Sequence, residues 1–240
     1  MSRYLVIFIS PFLYLLSFLW FFYYGRWPVF LAVFSLLVIM ISLRLATRHH
    51  FWQNKLLFVN LLLAYLAEFI FISLLTPLHF RYILIFALAF VWGFVWWLVG
   101  RHFSALKETG RADYLPALKF FYYLNFWFWS VSLYALIYLI QFPVLYALGL
   151  VLAGAFSWLA QLWLWDENRH WYELIILIFL VAQLVGAVYL LPLSFYAGGT
   201  IITLWFFFIG DKSLVTLRNF RWIFALLISI ILLLLITALT

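Results

Sequence analysis

Long apolar runs alternate with short polar breaks along the whole chain. The breaks fall at GRWP, RLATRHHFWQNK, TPLHFR, RHFSALKETGRADYLPALK, QFP, DENRH, LP and DKSLVTLRNFR. A helix needs roughly 20 apolar residues to cross about 30 Å of hydrocarbon. The pattern therefore predicts about nine spanning helices, at 4–24, 28–44, 55–75, 80–100, 119–141, 143–165, 171–191, 193–210 and 220–239. At Pro143 and Pro192 the alternative reading is a kink within one longer helix, because proline can bend a helix without ending it. The expected fold is an all-α, polytopic transmembrane helix bundle forming one membrane domain over 1–240.

The basic residues fix an orientation for this threading. Alternate segments carry Arg3; Arg44, Arg48 and Lys55; Arg101, Lys107, Arg111 and Lys119; Arg169; and Lys212, Arg218 and Arg221. The other set of segments carries only Arg26 and Arg81. Lysine and arginine accumulate in cytoplasmic loops. The N-terminus is therefore expected in the cytoplasm and the C-terminus outside, in a plasma (inner) membrane. The basic inner loops are expected to rest on anionic headgroups.

Composition agrees. The chain of 240 residues is 70% hydrophobic and 9% charged, where a soluble domain carries about a quarter charged residues. Lipid must be its main solvent. The first apolar run lacks a polar flank with a small-residue cleavage site and is expected to be a retained span. There is no cysteine, which excludes disulfides, thiolate metal sites and cysteine nucleophiles. The net charge of +7 is explained by loop topology, so no nucleic-acid partner is expected.

A shift of 115 residues lays the chain on itself. Trp27-Pro28-Val29 falls on Phe142-Pro143-Val144, Pro77-Leu78-His79-Phe80 on Pro192-Leu193-Ser194-Phe195, and Ala67-Glu68 on Ala182-Gln183. This suggests two four-helix repeats, 1–115 and 116–218, and an extra C-terminal helix at 219–240. Four spans per copy is an even number, so the copies would be parallel and related by an axis along the membrane normal.

Glu68 is the one ionisable group inside "LLLAYLAEFIFISLL". At 1.5 Å per residue, Glu68 and Gln183 each lie about 20 Å from the inner boundary. Ser17, Ser35, Ser132 and Thr200 fall near the same depth. A charge there costs at least about 2.5–3.5 kcal/mol, so Glu68 should face the interior, protonated or hydrogen-bonded. Gln183 and Thr200 are the expected partners. The plain reading is a neutral acid that cross-links two helices. The functional reading is a binding or proton-coupling group with Gln183, Thr200 and Ser132 around it.

Gly149, Ala153, Ser157 and Gln161 recur at i+4, and Gly198-Gly199 open another span; both are expected to serve helix packing. A binding groove, or an unwound segment that exposes backbone, is the functional alternative. Glu167 and His170 form a single Glu-x-x-His beside Asp166 and Glu173. A carboxylate-bridged metal pair needs a second copy of that motif, and none is present. His49, His50, His79, His102 and His170 show no helical two-histidine spacing, so no metal site is expected. The segments Trp92 to Trp97 and Trp163 to Trp165 read as interfacial anchors. No nucleotide, phosphate or serine-nucleophile motif appears, and no cofactor is expected.

Three function classes remain. The first is a permease-like or small-solute or lipid-binding membrane protein with a midplane carboxyl. The second is a non-catalytic structural or assembly subunit with a membrane-protein partner, which the aromatic content suits. The third is a membrane enzyme acting on a lipid, placed last because no catalytic set is visible.

Overall fold

The computed structural model describes residues 2–24, 37, 40–41, 55–109, 115–164 and 171–210. Among them are seven α-helices and no strand: α1 Ser2–Tyr24, α2 Lys55–Leu74, α3 Leu78–Thr109, α4 Leu115–Ile140, α5 Val144–Leu164, α6 Trp171–Leu190 and α7 Phe195–Gly210. The span expected at 220–239, and all but three residues of the one at 28–44, lie outside the described residues. Among the described residues, four segments are long and apolar enough to cross a membrane: Lys55–Leu74, Leu78–Arg101, Leu118–Ile140 and Val144–Gln161. Shorter apolar helices cover Ile9–Phe22, Leu174–Leu190 and Phe195–Phe207.

Proline sets three of the helix boundaries. Pro77, Pro143 and Pro192 all lie between helices and not within them. The carbonyl of Pro143 accepts from the amides of Tyr146 and Ala147, both at 3.1 Å, and so opens α5. Ser194 caps α7, its hydroxyl accepting from the Ala197 amide at 3.3 Å. Gln141, between α4 and α5, takes a left-handed φ of 57°.

One expected break is shorter than the sequence pattern implied. Helix α3 continues from Arg101 to Thr109, through residues read as loop. Ala105, Leu106, Lys107 and Glu108 are strong helix formers. Charge ends an apolar run without ending a helix. Helix α4 likewise begins at Leu115, with Pro116 in its first turn, where its missing N–H costs nothing.

The chain divides into two compact units, residues 1–122 and 123–240. In the first, α1 packs along α3, and α2 also contacts α3. Phe18, Leu61, Ala64 and Ile72 are buried in its core. In the second, α5 packs on α6, and α7 contacts both. Helix α4 meets α6 where the Tyr134 hydroxyl donates to the Val185 carbonyl at 2.7 Å.

Helix α3 presents Phe80, Ile83, Phe86, Phe90 and Phe94 outward, while Ile85, Leu88, Trp92, Val95 and Val99 are buried. Its outer face is as apolar as its inner face. Water would penalise such a surface, and lipid would not.

Candidate functional site

Glu68 is fully buried in the first unit. Helix α2 carries it in a run of Ala64, Tyr65, Ala67, Phe71 and Ile72, all of them buried as well. Two hydrogen bonds converge on Oε2. The Tyr14 hydroxyl, from α1, donates at 2.8 Å. The Trp92 indole N–H, from α3, donates at 2.7 Å. Three helices thus meet at one carboxyl oxygen. The other oxygen, Oε1, is buried without a hydrogen-bond partner.

A second polar link lies beside the first. The Ser17 hydroxyl donates to the Tyr14 carbonyl at 2.7 Å. That uses the one proton of Ser17, so its further hydrogen bond with Tyr65 has the tyrosine hydroxyl as donor. Aromatic rings close around the carboxyl. The Tyr14 ring lies 5.4 Å from that of Tyr65 and 6.0 Å from that of Trp92. Tyr65 and Trp92 stand 6.3 Å apart, and Phe121 meets Trp92 edge-on at 5.7 Å. The Phe18 ring lies tilted at 4.5 Å from that of Tyr14.

The sequence pointed to Glu68 and to Ser17 but to different partners. Gln183 is exposed on α6. Thr200 is engaged within the second unit, where its hydroxyl donates to the Tyr196 carbonyl at 2.7 Å and accepts from the Trp127 indole at 2.9 Å. Ser132 is buried on α4. Trp92 and Trp96, read as interfacial anchors, are among the most deeply buried side chains. The Trp97 ring lies 5.7 Å from the Arg101 guanidinium.

The small residues separate by environment. Gly149 and Ala153 are exposed, whereas Ser157 and Gln161 are buried. A Cβ at Gly149 would meet nothing within 4 Å. Gly154, which the i+4 stripe omits, sits under Trp129, and a Cβ there would lie 2.5 Å from the indole nitrogen. That indole donates to the Leu150 carbonyl at 2.9 Å. Helix α7 stays helical through Gly198 and Gly199. A Cβ on Gly199 would stand 2.7 Å from the Val131 nitrogen and 2.8 Å from its Cα, so α4 and α7 touch backbone to backbone. Gly198 is looser, its nearest neighbour being Val188 at 3.2 Å.

The acidic loop with Asp166, Glu167 and His170 lies outside the described residues, as do His49, His50 and Ser35. His79 is exposed at the start of α3, its ring 4.7 Å from that of Phe80.

No protein-family model, curated protein or solved structure matches the chain.

Proposed function

We propose that the chain is a permease-like membrane protein in which Glu68 carries a proton or contacts a small solute at mid-membrane. The observation that carries this reading is the uneven solvation of the carboxyl. Both donors reach Oε2, while buried Oε1 has no partner. A carbonyl oxygen accepts two hydrogen bonds, and a carboxyl hydroxyl occupies the other position. The geometry suits a neutral acid whose proton sits on Oε1, ready for transfer. A cross-link built for stability alone would gain from pairing both oxygens, since an orphaned buried polar atom costs about 1–3 kcal/mol.

The same reading takes the molecule as two parallel four-helix units with one added C-terminal helix, nine spans in all, N-terminus inside. Helix limits support the duplication. Moving α1 by 115 residues carries it to 117–139, inside α4, and moving α2 carries it to 170–189, one residue from the limits of α6. Moving α3 brings its start to 193, two residues before α7. Ser17 moves onto Ser132, and both are buried. In each unit the first helix packs closely on the last, α1 on α3 and α4 on α7.

Proteoliposomes with an entrapped pH-sensitive dye and an imposed potassium diffusion potential test the role of Glu68. Wild-type protein should carry a proton flux above that of empty liposomes, and Glu68→Gln and Glu68→Ala should abolish it. Absence of flux in the wild type, or full flux in Glu68→Gln, would remove proton coupling from the reading.

One observation favours a second reading, a subunit within a larger membrane complex. Helix α6 exposes Tyr172, Ile175, Ile176, Phe179 and Leu180, with the Gln183 amide on the same side. An exposed amide in a span gains from a partner helix. Gentle purification that brings down a stoichiometric membrane protein, lost in Gln183→Leu, would support this reading over the first.

A further inference from the structure

The second unit holds another set of buried polar groups, on α4 and α5, independent of Glu68. Asn125 is fully buried, and neither its amide nitrogen nor its amide oxygen has a hydrogen-bond partner. Trp158 is equally buried, with its indole N–H unpaired. Gln161 is 3% exposed, and its Oε1 is unpaired.

Helix register brings these groups to one stretch of the α4–α5 interface. Helices α4 and α5 run antiparallel through the turn 141–143. The contact of Trp129 with Leu150 and Gly154 sets their register. One turn closer to the start of α4 comes Asn125, and one turn beyond Gly154 comes Trp158. The ring of Trp158 lies 5.7 Å from that of Phe126 and 6.3 Å from that of Trp129, the residues one and four positions after Asn125 on α4. Gln161 follows Trp158 by three residues and so shares its face. At 1.5 Å per residue, Asn125 lies about 10 Å inside the apolar segment that begins at Leu118. Gln161 closes the apolar segment of α5.

We propose that this cluster is a binding site for a small uncharged solute that carries N–H or O–H donors as well as an acceptor. The donors would meet Asn125 Oδ1 and Gln161 Oε1, and the acceptor would meet Trp158 N–H or the Asn125 amide. Charge is excluded on chemical grounds. No Asp, Glu, Lys or Arg occurs on α4 after Lys119 or anywhere on α5. An ion here would find no counter-charge on α5 or on α4 beyond Lys119. Four buried polar atoms left unpaired would each cost free energy, and a single bifunctional solute satisfies them together.

Thermal unfolding of the full chain in lipid nanodiscs tests this, with acetamide as the probe. Acetamide has two N–H donors and a carbonyl; N,N-dimethylacetamide has the carbonyl alone. Wild-type Tm should rise saturably with acetamide, by roughly 3–6 °C at ten times Kd. Dimethylacetamide should give no saturable rise, and Asn125→Leu and Gln161→Leu should lose the response to acetamide. If Asn125→Leu fails to fold, Gln161→Leu decides. No acetamide response in the wild type, an equal response to both amides, or a response retained in the variants overturns the site. Proton flux through Glu68 is not read in this experiment, so either proposal can fail alone.

Discussion

The hydroxyl of Tyr14 donates to Glu68 Oε2 at 2.8 Å, joining α1 to α2 across 54 residues of chain. Both residues are buried. Removing the hydroxyl with Tyr14→Phe keeps the ring and its contacts with Phe18 and Trp92, and deletes one donor. Glu68 then keeps only the Trp92 bond. Stability should fall by about 1 kcal/mol, read as a drop of roughly 2–4 °C in Tm in nanodiscs. Glu68→Leu should cost more, because it strands both the Tyr14 hydroxyl and the Trp92 indole. Glu68→Gln should cost least, since its carbonyl can accept both bonds. An equal Tm for Gln and Leu would mean that the two donors are solvated in some other way.

Glu68 was legible in the sequence because a lone acid in an apolar run has few explanations. Its partners were not. Tyr14 and Trp92 are two of many aromatic residues in a chain that is 24% aromatic, and nothing local marks them. In water an amphipathic stripe would show which face of each helix is inside. In lipid the outer face is equally apolar, as Phe90 and Phe94 opposite Trp92 and Val95 show, so the sequence carries no such stripe. Turns were legible for the opposite reason. Pro77, Pro143 and Pro192 act through backbone sterics, which lipid does not change. The extension of α3 to Thr109 was missed because the limit was placed where hydropathy falls and not where helix propensity falls. Gly199 was seen as a packing residue, but its neighbour Val131 could come only from the structure.

Glycines on the two sides of that distinction should respond oppositely to alanine. At Gly199 the added Cβ would press on the Val131 backbone at 2.7–2.8 Å, which no rotamer change relieves. Gly199→Ala should force α4 and α7 apart and destabilise by about 1–3 kcal/mol. At Gly149 and Gly186, a Cβ meets nothing within 4 Å. Alanine there should be neutral or stabilising by up to about 1 kcal/mol, from helix propensity. Denaturation of the three variants side by side gives the comparison. Equal effects at Gly199 and Gly149 would contradict the close crossing.

Gln141 holds a φ of 57° in the turn between α4 and α5. A residue with a Cβ is strained there by about 1–2 kcal/mol, and glycine is not. The turn is otherwise well made, with the Phe142 amide donating to the Leu136 carbonyl at 3.1 Å and Pro143 ready to start α5. Gln141→Gly should therefore raise Tm, while Gln141→Val, β-branched at the same φ, should lower it. The ordering Gly above Gln above Val in Tm checks the turn conformation directly.

Arg81 was one of two basic residues that broke the charge sorting, and its surroundings give it a local reason to be there. Its Nε donates to the Leu75 carbonyl, and its Nη2 reaches the Ser73 carbonyl at 3.4 Å. The Ser73 carbonyl lies in the last turn of α2, where carbonyls lack a partner within the helix, and Leu75 is the first residue past its end. The guanidinium also lies 5.4 Å from the centre of the Phe22 ring on α1. One side chain on α3 thus ties down the ends of α2 and α1. Lysine cannot reproduce this, because its ammonium lacks the planar fork of donors. Arg81→Lys and Arg81→Gln should both speed amide hydrogen exchange over the last turn of α2, and by similar factors. If the residue instead served to set topology by its charge, lysine would be silent in exchange. Gln alone would then change the side on which a C-terminal reporter is found.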